Sequence, residues 1–89
     1  MPTISFFYGI IIQMFFYDNQ RHNLAHIHAI YQDDEAVFSI IDGSIIEGAF
    51  PARQRKMMEA WIEIHKEELA ADWKLAISGQ EIFKIDPLR

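Results

Sequence analysis

Cysteine is absent from the 89 residues, which removes disulfides and thiolate metal sites together and leaves the fold to packing alone. Glycine and proline are scarce, four and three in number, so linker-like and collagen-like chains are excluded and each of these residues marks a particular turn or boundary. No apolar run is long enough to span a bilayer. The longest, residues 4–16, is broken by Gly9 and Gln13 and has no basic lead, so it reads as a buried strand rather than a signal peptide or membrane segment, with cytoplasmic residence expected by default. Positive charge is also in short supply. Eight Lys and Arg stand against thirteen Asp and Glu, a net charge of −5, whereas non-specific nucleic-acid binding needs a basic surface. Nucleic acid is therefore not indicated by charge, although a local basic patch can act against that background. No serine lies in a recognisable nucleophile context, and there is no Gly-rich phosphate loop.

What is present is apolar and aromatic side chains, 51% and 13% of the residues. That composition predicts one globular domain over 1–89 with a modest core. Residues 3–17 are dense in Ile, Phe and Tyr and predict strand, with Gly9 bending a short lead-in away from a main strand over 10–17. On that strand Ile10, Ile12, Met14 and Phe16 share one face, and Ile11, Gln13, Phe15 and Tyr17 share the other. Residues 18–25 read as a loop. Alternation resumes at 26–32, placing Ile27, Ala29 and Tyr31 opposite His26, His28 and Ile30. Asp33-Asp34 predicts a turn, Ala36, Phe38 and Ile40 a third strand, Asp42-Gly43 a two-residue hairpin, and 44–50 a fourth strand. After Pro51 the apolar stripe of Met58, Ile62, Leu69, Trp73 and Ala76 is helical, and Gly79 stops it. One helix over 52–78 would be about 40 Å long at 1.5 Å per residue, so a break near 65–67 is expected. A last strand is predicted over 81–85.

Three of the four histidines fall in Arg21-His22-Asn23-Leu24-Ala25-His26-Ile27-His28. Two residues apart on a strand, His26 and His28 point the same way. One reading is a metal site: His22, His26 and His28 binding zinc or another divalent ion, with Asp18, Asp33 or Glu35 completing the shell. A second is acid–base chemistry, His26 and His28 moving protons while Arg21 steadies a phosphate. A third is structural, the rings lying on an exposed or dimer-facing side of the sheet. Arg53, Arg55 and Lys56 crowd the first turns of the helix, where they either grip an anion or acidic partner or simply cover solvated surface. Trp61 and Trp73 read as core, His65 as a buried, hydrogen-bonded residue fixing the helix break, and Glu67, Glu68 and Asp72 as a solvated face.

An ordered set of short pieces resembles a known family. It comprises Pro2-Thr3-Ile4, Phe7-Tyr8-Gly9-Ile10, His26-x-His28 with Tyr31, Gly43, Glu47-Gly48 and Pro51. Trp61-x-x-x-His65-x-x-Glu68-Leu69-x-x-x-Trp73 and Ile85-x-Pro87-Leu88 complete it. Together these are similar to a small bacterial domain-of-unknown-function family, number 4160. Its members usually carry an Asp-His pair and two prolines before the His-x-His element, where this chain has Arg21-His22 and Leu24-Ala25. The resemblance implies a gene context similar to toxin–antitoxin operons and no established reaction.

These observations predict an α+β fold, a mainly antiparallel four- to five-stranded sheet with one long or two shorter helices on one face. The helices are expected on the face of Ile10, Ile12, Met14, Ile27, Ala29, Tyr31, Phe38 and Ile40, leaving Ile11, Phe15 and Tyr17 as an apolar row that calls for a homodimer or a small protein partner. The favoured role is an interaction or regulatory module, one half of a toxin–antitoxin-like pair. The alternative is a small histidine-dependent ribonuclease-type toxin.

Overall fold

The computed structural model describes residues 2–16 and 24–89. Five antiparallel strands run in sequence order, β1 (Thr3–Phe7), β2 (Ile10–Gln13), β3 (His26–Tyr31), β4 (Asp34–Ser39) and β5 (Ile45–Gly48). Helices α1 (Ala52–Ile64) and α2 (Lys66–Ile77) follow. The α+β expectation holds, and among the described residues no helix is long and apolar enough to cross a membrane.

Gly9 does more than bend the first apolar stretch. Tyr8 and Gly9 both take positive φ, 48° and 80°, the signature of a two-residue type I′ turn whose twist matches the flanking strands. The chain reverses there, Phe7 opposite Ile10, so the expected main strand over 10–17 is the second arm of a hairpin and ends at Gln13. The next turn sits one residue earlier than expected, at Gln32-Asp33, with Tyr31 opposite Asp34. Asp42-Gly43 does not close a two-residue hairpin either. Residues 40–44 form a wider loop, in which Asp42 Oδ1 accepts hydrogen bonds from the Ser44 amide and hydroxyl at 3.0 and 2.7 Å. Those bonds hold the Asp42 carboxyl below its ordinary pKa. The ladder restarts at Ile45, so β5 is Ile45–Gly48 rather than 44–50.

Register sorts the sheet into two faces. Phe7, Ile10, Ile12, Ala29, Ile27, Ala36 and Phe38 fall on one, and all are buried with Met14 and Ile40. Met58, Trp61 and Ile62 of α1 and Leu69, Trp73 and Ala76 of α2 complete this core. Tyr31 is only half-buried, its ring edge-on to Phe50. The expected face is therefore the observed one. A one-residue slip of β3 would exchange buried Ile27 and Ala29 for His26 and His28, which fixes the register; burying one Ile side chain is worth about 1.5–3 kcal/mol.

The helical segment breaks at His65, φ −109°, ψ 24°, as its length demands. Ser78, Gly79 and Gln80 end α2 in a Schellman motif, Gln80 N–H bonding Leu75 O at 2.9 Å and Gly79 N–H bonding Ala76 O at 3.1 Å; Gly79 supplies φ 73°. The expected strand over 81–85 does not form. The segment beyond Gly79 touches the sheet through one backbone bond, Ile85 N–H to Ile4 O at 2.8 Å. Ile85 also enters the buried core, and two hydrogen bonds tie the segment to the helices: Trp61 Nε1 donates to Asp86 O at 2.8 Å, and Phe83 N–H donates to Asp72 Oδ1 at 3.0 Å. Asp72 is thus not on a solvated face. It is 3% exposed, and burial pushes its carboxyl above the ordinary value, against the lowering effect of the Phe83 amide.

Candidate functional site

β3 begins with the histidine pair, and the alternation places both rings side by side, centroids 5.4 Å apart. His26 pairs with Ser39; His28 pairs with Val37 on one flank and Gln13 on the other. The expectation of an exposed pair is overturned for His26, which is 1% exposed. Its ring lies 4.9 Å from Trp73 of α2 at 56°, so the helix covers the first residue of the strand even though His26 points away from Ile27. Its Nδ1 is 2.8 Å from Leu24 O. A carbonyl can only accept, so Nδ1 carries the proton.

His28 is half-buried. Its ring meets Phe15 at 4.3 Å, and its Nδ1 lies 4.0 Å from Glu35 Oε2. That separation is beyond hydrogen bonding, and an ion pair there would need a protonated ring and be weakened by solvent, since Glu35 is 61% exposed. Trp73, His26, His28 and Phe15 form a continuous row of rings from α2 to the residues just beyond β2. At its outer end the row offers the half-buried Phe15 and His28 rings to a partner or ion. The sequence pointed to its two histidines but not to Trp73 or Phe15, because nothing local joins positions 26 and 73.

Of the remaining predicted site residues, Arg21 and His22 lie outside the described residues, as do Tyr17 and Asp18. Among the described residues no three His, Asp or Glu side chains are grouped to hold a metal ion. Arg53, Arg55 and Lys56 are exposed on the first turns of α1, which carry no acidic residue. No hydrogen bond or ion pair among the described residues links them to the histidine row.

The face carrying the histidines is the sheet face turned from the helical core. Phe6, Ile11, Ile30 and Glu35 stand in one cross-strand row, and Gln13, His28, Val37 and Glu47 in the next. Phe6 is 61% exposed, and Ile11, Phe15 and Ile30 are half-buried. Apolar side chains thus run across three strands where water would otherwise be met by polar ones. Of the expected row of Ile11, Phe15 and Tyr17, the first two stand here half-buried, Tyr17 lies outside the described residues, and the first hairpin adds Phe6.

The model of a family described as a domain of unknown function (DUF4160) matches residues 9–74. No curated protein and no solved structure matches the chain. The matched span contains the histidine row and both helices up to Lys74, and it leaves out β1 and the segment beyond α2.

Proposed function

The chain belongs to the DUF4160 family, and we propose that it works there as a cytoplasmic interaction module, one half of a toxin–antitoxin-like pair. The observation that carries this reading is the apolar sheet face, Phe6, Ile11 and Ile30 abreast across three strands with Phe15 beside them. A contiguous apolar surface of this kind is what partner binding or self-association covers. The occupant is a second copy of the chain or a small partner protein. The His26–His28 row borders the same face, so the half-buried His28 takes part in that contact, or His22, His26 and His28 together hold a divalent ion such as zinc there. Arg53, Arg55 and Lys56 offer a separate basic edge to an acidic partner.

The test is light scattering on the tag-free protein, alone and co-expressed with the product of its neighbouring gene. A dimer or complex that dissociates in Phe6→Glu and Ile30→Glu variants, with their folds intact by circular dichroism, supports the module. A stable monomer at tens of micromolar that also forms no complex removes it, since interfaces of micromolar affinity would be populated there. Zinc titration of the same sample, with His26→Gln and His28→Gln as controls, tests the ion. RNA cleavage lost on His28→Ala would instead establish the nuclease.

A further inference from the structure

The apolar sheet face has a sided pattern of charge. Phe6, Ile11, Ile30 and Glu35 follow one another across β1, β2, β3 and β4. Neighbouring strands lie about 4.8 Å apart, so the apolar strip is roughly 10 Å wide and Glu35 stands one strand beyond it. Phe6 and the Glu35 side chain, at its two ends, are each 61% exposed. Ile11 and Ile30 between them are half-buried. Glu47, opposite Val37, puts a second carboxylate on the same face. The five strands contain no lysine or arginine. Every Lys and Arg among the described residues lies in the helices or beyond them. His28 Nδ1, 4.0 Å from Glu35 Oε2, is too far to bond it.

A two-fold contact through this face would lay it on its own copy, the same patch on both sides. The strands of a second copy bring apolar side chains and further carboxylates, so Glu35 would lose water without gaining a cation. Removing a carboxylate from water unpaired costs more than the neighbouring apolar contacts return. A protein that carries Lys or Arg beside an apolar surface matches both halves of the pattern. The net charge of −5 also favours its approach. We propose that this face takes a basic partner protein rather than a second copy. The partner lays apolar side chains over Phe6, Ile11 and Ile30 and sets a lysine or arginine against Glu35. This rests on the reading of the face as an interface and narrows it to one kind of occupant.

Two synthetic amphipathic peptides of equal leucine content, one with lysine and one with glutamate on its polar side, probe the surface. The Leu–Lys peptide titrated into the ¹⁵N-labelled full chain should move the Ile11 and Ile30 amide signals saturably, and the Leu–Glu peptide should leave them in place. Glu35→Gln should weaken the Leu–Lys peptide by up to about fivefold, the ratio for losing one exposed ion pair, and Glu35→Lys by more. Glu63→Gln and Glu67→Gln, exposed on the helices, should change nothing; they separate pairing at Glu35 from attraction to the chain's overall charge. Equal binding of the two peptides, movement confined to other amides, or equal weakening by Glu35→Gln and Glu67→Gln would overturn the proposal. A homodimer broken by Phe6→Glu would overturn it too, while supporting the interface. A monomer that binds neither peptide also refutes it, and if that monomer forms no complex with the product of the neighbouring gene, the interface reading falls with it.

Discussion

Trp61→Phe separates the two things the buried indole does. The side chain is fully buried, touches Phe7 at 5.5 Å between ring centroids, and bonds the Asp86 carbonyl at 2.8 Å. Replacing indole by phenyl removes roughly 40 Å³, and at about 24 cal/mol per Å³ of unrelaxed cavity that costs about 1 kcal/mol. Losing the hydrogen bond adds about 1 kcal/mol. Trp73→Phe is the control, because Trp73 is 9% exposed and its indole donates no hydrogen bond among the described residues; it should cost only the first contribution, about 1 kcal/mol. Urea unfolding with unchanged m-values should therefore rank Trp61→Phe about 1 kcal/mol below Trp73→Phe. For a domain of this size that is a difference of about 4–8 °C in melting temperature. Amide exchange at Ile85 should accelerate in the Trp61 variant and not in the other, because only the Trp61 bond anchors the neighbouring Asp86. Equal losses in the two variants, or unchanged exchange at Ile85, would refute the account.

Gly48→Ala should destabilise by about 1–3 kcal/mol from its φ of 86° alone, and further because a Cβ there would fall on the Glu35 carbonyl oxygen; thermal unfolding checks it. Tyr8→Asn should stabilise by roughly 0.5 kcal/mol, since Tyr8 holds φ 48° in the first turn and asparagine tolerates that conformation better; an unchanged or lower melting temperature would count against the turn assignment. Asp72 gives a pH signature. Its folded pKa is raised above 3.8, so its contribution to stability is fully present below the unfolded value and is lost as pH rises through the folded one. Asp72→Asn should therefore gain on the wild type between pH 3.5 and pH 7 in paired denaturant titrations, and parallel profiles would exclude the buried carboxyl as the cause.

Alternation carried most of the fold. It assigned Ile10, Ile12, Ile27, Ala29 and Phe38 to the core face and His26 and His28 to the other, because strand period is a local property. The helix break was legible from length, and His65 fell at it. Turn chemistry was read less well. Tyr-Gly is a rarer type I′ pair than Asn-Gly, so the reversal at Gly9 passed for a bend, while Asp42-Gly43 looked like a hairpin it does not close. The apolar residues Ile82, Phe83 and Ile85 suggested a strand at 81–85, but whether a strand forms depends on a partner, and pairing is a tertiary matter. The site was legible only in part. Two histidines two apart announce a shared face, whereas the Trp73 ring over His26, the bond from the Phe83 amide to Asp72, and the bond from Trp61 to the Asp86 carbonyl depend on elements brought together by the whole fold.

The bond from Ile85 to Ile4 joins the first strand to a segment synthesised long after it. Until residues 83–86 have left the ribosome, the outer edge of β1 has no backbone partner, Trp61 has no acceptor for its N–H, and Asp72 has no amide to bond. The sheet and both helices can assemble earlier, but they do so with an open edge, the state in which strands recruit other strands. These few residues thus complete three elements at once, and chains caught before they arrive are the ones expected to aggregate.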